Sequence, residues 1–258
     1  MSGLAKGFTR LFGESDPHPE GAVLPQGLRL YAVGDVHGCL ERLDHLIEQI
    51  VADAAGHDAE RKVIVFLGDY VDRGPDSRGV VERLMDGPPE GFEQICLKGN
   101  HEAFMVRFLK TPKDGETWMI NGGLQTCASY GVDCSGDPFD HTVLARMHGE
   151  LTAAVPQAHR DFLAGLELYH AEGGYLFVHA GIRPGVSLRR QAQSDLLWIR
   201  EQFLMSEEDH GYVVVHGHTP SEEVDERPNR IGIDTGAVYG GKLTAMVLEG
   251  EERGYLYA

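Results

Sequence analysis

Cysteine is scarce in this chain of 258 residues. Cys39, Cys96, Cys127 and Cys134 are the four, and they form neither a C-x-x-C pair nor a zinc-ribbon spacing. That argues against a disulfide framework and a thiolate metal cage, and free thiols in a reducing cytoplasm are the expectation. Long apolar runs are missing as well: none is long enough to span a bilayer. The amino-terminal stretch lacks the apolar core of a secretory signal. Basic residues are few beside acidic ones, 23 Lys and Arg against 40 Asp and Glu, which leaves a formal net charge of −17. So acidic a balance argues against bulk binding to nucleic acid and against stable membrane association, both of which use basic patches. A phosphorylated substrate stays admissible, because bound cations reverse the potential inside a site. A soluble cytoplasmic protein is the resulting expectation.

What remains has the makings of one globular domain: 42% hydrophobic and 24% charged residues, near the soluble norm. Residues 1–26 read as an amino-terminal extension, because the turn formers of Asp16-Pro17-His18-Pro19 interrupt any regular element. Within it, Leu4, Phe8, Leu11 and Phe12 share one helical face, a pattern that fits a docking or membrane-surface helix or a partly ordered tail. From residue 27 to 258 the pattern alternates. Leu28 to Val33, Val63 to Leu67 and Phe92 to Leu97 read as strands. Each is followed by an amphipathic helix, beginning near Leu40, Ser77 and Phe104 respectively. Residues 111–165 read as a mainly helical insertion. The last third is strand-rich, at Tyr175 to Val178, Tyr212 to Val215, Arg230 to Asp234, Lys242 to Leu248 and Gly254 to Tyr257. An α/β fold whose strand ends carry the chemistry follows from this recurrence.

The strand ends are where the distinctive residues fall. Gly34-Asp35-Val36-His37-Gly38 follows the first strand, and Gly68-Asp69-Tyr70-Val71-Asp72-Arg73-Gly74 the second. Gly99-Asn100-His101-Glu102 follows the third, with His179-Ala180-Gly181 and Gly217-His218-Thr219 after later strands. Asp35, His37, Asp69, Asn100, His179 and His218 together offer enough oxygen and nitrogen ligands for two metal ions, and the carboxylate of Asp69 has two oxygens with which to bridge them. Such a donor set suits manganese, iron or zinc better than a metal that seeks thiolates. Two closely spaced cations make a phosphate-splitting site.

These ordered blocks resemble the signatures of the phosphoprotein phosphatases, a serine/threonine phosphatase family within the calcineurin-like metallophosphoesterases, in its bacterial and phage branch. Ile233-Asp234-Thr235-Gly236-Ala237 is similar to the carboxy-terminal part of that branch. The resemblance implies a β-sandwich flanked by helices and two divalent ions, manganese foremost. Asp35, His37 and Asp69 would hold the first ion, and Asp69, Asn100, His179 and His218 the second. It implies His101 as the general acid, Asp72 as the group that orients it, and Arg73 as a grip on phosphate oxygens. A second phosphate-binding arginine is expected at Arg200, with Arg183 as its competitor. Lys98 stands where many relatives carry arginine and is a further candidate for a phosphate contact. His216, beside the ligand block, takes a supporting role.

Trp118, Asn121 and Gly122-Gly123 resemble a block of the bacterial branch that either lines a groove or packs a helix junction. Tyr239 is placed at the site mouth. The implied reaction is in-line attack by a hydroxide bridging the two ions on phosphoserine or phosphothreonine in a protein or peptide, without a phosphoenzyme. The intact Asp72-Arg73 pair and Glu102 favour that substrate over the alternative, symmetrical cleavage of a bis(5'-nucleosyl) tetraphosphate. A non-catalytic phosphoprotein-binding module would need a missing ligand or acid, and none is missing.

Overall fold

Strand β1 (Leu28–Val33) is buried along its whole length, and its side chains divide by parity. Leu28, Leu30 and Ala32 enter one apolar cluster, whereas Tyr31 and Val33 enter another on the opposite face. β2 (Arg61–Phe66) divides in the same way, Val63 and Val65 against Ile64 and Phe66. A strand covered on both faces has no polar side to show, which is why these segments read as continuous apolar runs. The computed structural model describes residues 22–113 and 115–258. The apolar face of Leu4, Phe8, Leu11 and Phe12 lies outside the described residues.

Two mixed sheets face one another. In the first, β1, β2 and β3 (Phe92–Cys96) run parallel, and β9 (Thr244–Glu249) and β10 (Glu252–Tyr257) are added antiparallel, in the order β10-β9-β1-β2-β3. The second has the order β4-β5-β6-β8-β7, formed by Tyr169–Glu172, Tyr175–Val178, Val213–His216, Arg230–Gly232 and, at the edge, Asp225–Glu226. Leu30, Val65, Phe177, Val215 and Ile231 meet between the sheets. Each such side chain contributes about 1.5–3 kcal/mol by burial.

Helices α1 (Leu40–Ala54), α2 (Ser77–Met85) and α3 (Asn100–Lys110) close the outer face of the first sheet. The insertion supplies α4 (Gly115–Trp118), α5 (Leu124–Ser129), α6 (His141–Ala154) and α7 (Gln157–Gly165), with a kink at Gly122 (φ 109°) between α4 and α5. Trp118, Cys127, Met147 and Leu163 join the same cluster as α1 and α2, so the insertion is part of the helical layer. Short helices α8 (Gln193–Trp198) and α9 (Glu201–Leu204) cover the second sheet through Leu196 and Phe203.

The edge strands β4 and β7 were not expected. β4 reads Tyr-His-Ala-Glu, without apolar alternation, and pairs with β5 across the turn at Gly173-Gly174. β6 begins one residue later than expected and includes His216. Ala22 and Leu24, assigned from sequence to the extension, are buried against the inter-sheet core, and the Leu24 N–H donates to Gly250 O at 2.9 Å.

One buried side chain fastens the strand ends together. Glu102, fully buried in the first turn of α3, accepts from four backbone N–H groups. Its Oε2 takes those of Asp69 and Gly99, both at 2.8 Å, and its Oε1 those of Tyr70 at 2.8 Å and Val71 at 3.2 Å. Burial and the charge of Asp69 push its pKa up to about 7, against the pull of the backbone donors. Sequence reading used Glu102 only as a hint to substrate class; in the fold it splices the loop after β2 to the start of α3. Glu102→Gln turns an amide N–H₂ against these donors and should cost about 2–4 kcal/mol, read as a lower urea midpoint. An unchanged midpoint would show that the loop is held by other means.

Candidate active site

Among the described residues, five that are not glycine adopt a left-handed backbone: His37 (φ 45°), Asp69 (54°), Asp72 (75°), Arg73 (67°) and His218 (65°). All five belong to the motifs at the strand ends. Such a conformation costs an L-residue roughly 1–2 kcal/mol and persists only where surrounding bonds over-determine it. Those bonds are present. Asp69 O accepts the N–H groups of Val36 and His37 at 3.1 and 2.8 Å, and His179 O accepts that of Gly217 at 2.8 Å. Gly217 and Gly99 complete the arrangement, because a Cβ on either would collide with a carboxylate oxygen, of Asp35 and Asp69 respectively.

Apart from Arg73, the side chains aimed inward at these strand ends offer acceptor atoms. His37 Nδ1 donates to Val71 O at 2.9 Å, and His179 Nδ1 donates to Leu67 O at 3.1 Å. Burial, aided by neighbouring positive groups, holds both rings well below the ordinary imidazole pKa, so each Nε2 carries a lone pair. Both face further acceptors, and His37 Nε2 is met in addition by a donor, Arg73 Nη1. His37 Nε2 lies 3.5 Å from Asp69 Oδ2, while His179 Nε2 lies 3.4 Å from Asp69 Oδ1 and 2.9 Å from Asn100 Oδ1. His218 Nε2 is buried and has no hydrogen-bond partner among the described residues. Burial and the charge of Arg200 lower that ring to about 3. Lone pairs converging in a buried space fit cations, and the mixed oxygen and imidazole donors suit a divalent ion of the manganese, iron or zinc type.

Among the described residues, two triplets bring ligand atoms within 4.8 Å of one another: Asp69, His179 and His218, and His37, Asp69 and His101. Asp69 belongs to both. Asp35 adjoins them differently, because its two oxygens accept the His218 N–H at 3.2 and 3.1 Å and so tie the end of β1 to that of β6. Burial, together with Asp234 and Asp69, raises the Asp35 pKa well above the carboxylate range. Asp234, to which sequence reading gave no role, is itself raised to about 6, first by burial. It is an acidic residue just past a strand end, the feature that marks Asp35 and Asp69.

His101, a member of the second triplet, belongs to α3 and links the site to the helical layer. Its Nδ1 donates to Asp72 Oδ2 at 2.6 Å, and its Nε2 lies 3.9 Å from Asp69 Oδ2. Burial opposes charge on this ring, but Asp69 and Asp72 outweigh it and raise its pKa. Asp72 is fully buried and receives Thr126 Oγ1 on Oδ1 at 2.6 Å and Trp118 Nε1 on Oδ2 at 2.7 Å. Trp118 is therefore a partner of the His101–Asp72 pair, a link its sequence block did not reveal.

Two arginines reach the site. Arg73 Nη1 contacts His37 Nε2 at 2.5 Å, and its guanidinium lies 5.7 Å from the ring centroid of the exposed Tyr239. Arg200 Nη2 lies 3.4 Å from His218 O. Arg183 instead forms a two-pronged pair with Asp195, at 2.8 Å on each prong. Lys98 does not join the site. The adjacent Leu97 points into the inter-sheet cluster, and Lys98 Nζ turns the other way and donates to Ala164 O in α7 at 3.0 Å. The pleat sets that direction. His216 stays in support: its Nδ1 lies 3.1 Å from Gly217 O and its Nε2 3.4 Å from Arg230. Beside His218, the half-exposed ring of Trp198 packs edge-on against Phe104 at 4.9 Å.

Serine/threonine-protein phosphatase 1 of Salmonella typhimurium is 29% identical over 223 residues, covering 83% of this chain and 89% of its own. The asymmetrical bis(5'-nucleosyl)-tetraphosphatase PrpE of Bacillus subtilis is 28% identical over 230 residues, covering 82% and 87%. The structure of a cold-active protein tyrosine phosphatase shares the fold, with a TM-score of 0.53 at 19% identity over 91% of this chain and 81% of that one. Residues 28–245 match the family model of the calcineurin-like phosphoesterases. That span takes in every loop that converges on Asp69, and the chain belongs to this family.

Proposed function

We propose that the chain is a dinuclear-metal phosphomonoesterase acting on phosphoserine and phosphothreonine in proteins. The observation that carries the reading is the Asp69 carboxylate set between the Nε2 atoms of His37 and His179, one oxygen toward each. Asp35, His37 and Asp69 would hold one divalent ion, and Asp69, Asn100, His179 and His218 the other, with manganese the foremost candidate. When bound, such ions supply Lewis acidity toward the phosphoryl group and a water of lowered pKa.

The chain's own groups do the rest. The planar fork of Arg73 suits two phosphoryl oxygens, and Arg200 approaches from the His218 side. Asp72 fixes Nδ1–H of His101, so a charged His101 presents its second proton at Nε2, facing Asp69. That proton passes to the leaving alkoxide as the ester bond breaks, and water supplies the new bond to phosphorus. Inorganic phosphate and the free hydroxyl of the side chain result. The intact Asp72-Arg73 pair supports a protein substrate, as does similarity to the Salmonella enzyme.

A specific feature favours a second reading. Trp198, 43% exposed beside His218, offers a surface on which a nucleobase could stack, and the Bacillus relative acts on dinucleotides. That relative cleaves asymmetrically, whereas the alternative drawn from sequence is symmetrical cleavage.

A substrate panel separates the readings. Manganese-loaded protein should turn over phosphoserine and phosphothreonine peptides in preference to diadenosine tetraphosphate. Efficient cleavage of the dinucleotide alone would reverse the assignment, and its products, ATP with AMP or ADP only, would identify the mode. His101→Asn should lower kcat on a phosphoserine peptide by about 10²–10⁴-fold, with metal content unchanged. Near-native turnover would remove His101 from the proton-transfer step.

A further inference from the structure

Trp118 closes α4 and is almost wholly buried, at 1% exposure. Its ring tilts against Phe108 of α3, centroids 4.9 Å apart, and lies so close to Gly123 that a Cβ there would strike the indole. Packing alone would account for a tryptophan at a helix junction. It does not account for where the one polar atom of that side chain goes. Nε1–H donates at 2.7 Å to Asp72 Oδ2, the same oxygen that accepts Nδ1–H of His101 at 2.6 Å. Thr126, also from the insertion, takes the other oxygen, and Gly122 O receives the N–H of Arg73 at 3.2 Å.

We propose that Trp118 is a positioning residue for proton transfer, fixing the Asp72 carboxylate so that the ring of His101 aims Nε2 at the leaving oxygen. This rests on the reading above, in which His101 delivers the proton. Asp72 is fully buried, so a lost donor has no bulk water to replace it. Left with Thr126 at Oδ1 and the His101 ring itself at Oδ2, the carboxylate is free to turn about its Cβ–Cγ bond and carry Nδ1 of His101 with it. The imidazole then points its proton away from the reacting oxygen, and displacement of about 1 Å costs on the order of 10²-fold in rate. Trp118 thus reaches the His101 ring through one shared oxygen of Asp72, 46 residues distant in sequence.

Leaving-group dependence distinguishes positioning from packing. A nitrophenolate departs without a proton, whereas a serine alkoxide needs one. Trp118→Phe should lower kcat on a phosphoserine peptide by about 10–100-fold, with KM changed by no more than about twofold, and leave p-nitrophenyl phosphate turnover within about threefold. In a His101→Asn background the same substitution should add less than about twofold, because the two act as one unit. Equal losses on both esters, or an undiminished loss in the His101→Asn background, would overturn the proposal and leave Trp118 a packing residue. If Trp118→Phe fails to fold, β-(3-benzothienyl)alanine at position 118 keeps the bicyclic shape and removes only the N–H, with the same expected outcomes. A His101→Asn variant that loses nothing on the peptide overturns the His101 reading and this proposal together. A His101 effect without a Trp118 effect overturns this proposal alone.

Discussion

At the end of β2 the chain buries a carboxylate against imidazole lone pairs and then turns left-handed three times, at Asp69, Asp72 and Arg73. Neither arrangement is favourable by itself. A buried carboxylate without charge compensation costs several kcal/mol, and each left-handed residue adds strain. Two sheets with a common apolar interior bring the loops together, and the four backbone bonds to Glu102 hold the first of these turns against the start of α3. Asp69 therefore depends on a carboxylate whose four bonds go to backbone N–H groups. Cations supplied to the cluster would offset the buried charge of Asp69, so folding strain and metal affinity are two sides of one arrangement.

The site divides into two kinds of neighbourhood. Around Asp69 the side chains of His37, Asn100, His179 and His218 present acceptors from the ends of β1, β3, β5 and β6, with the His101 backbone N–H and Arg73 as donors among them. Around Asp72 the atoms are donors, from His101, Trp118 and Thr126, and the last two come from the insertion. His101 joins the two through its opposite ring nitrogens. The helical layer therefore surrounds the Asp72 side of the site, while the strand ends supply the side around Asp69. Two exposed rings adjoin the site, Tyr239 beside Arg73 and Trp198 edge-on to His218.

Much of this was legible in the sequence for local reasons. β1 and β2 announce themselves because both faces are buried, and their glycine-flanked motifs mark where the chain must turn tightly. The six proposed ligands could be named because each sits just past a strand. What escaped reading depends on distance in the chain or on the direction of a side chain. Glu102 acts on residues 69 to 71, and Trp118 acts on Asp72, neither of which any periodicity connects. Lys98 carries the expected charge, yet the pleat turns it toward α7. β4 exists only because β5 offers it an edge. Asp234 lies within the Ile233-Asp234-Thr235-Gly236-Ala237 block, but its meaning depends on the packing of Gly34 against Ile233, which brings β8 beside the first loop.

The shared carboxylate of Asp69 is tested most directly by loading the protein with manganese and recording metal content together with the EPR spectrum. Two ions per chain with the signature of an exchange-coupled pair, about 3.5–4 Å apart, is the expected result. One ion per chain, or two ions with spectra of isolated manganese, would contradict a site bridged at Asp69.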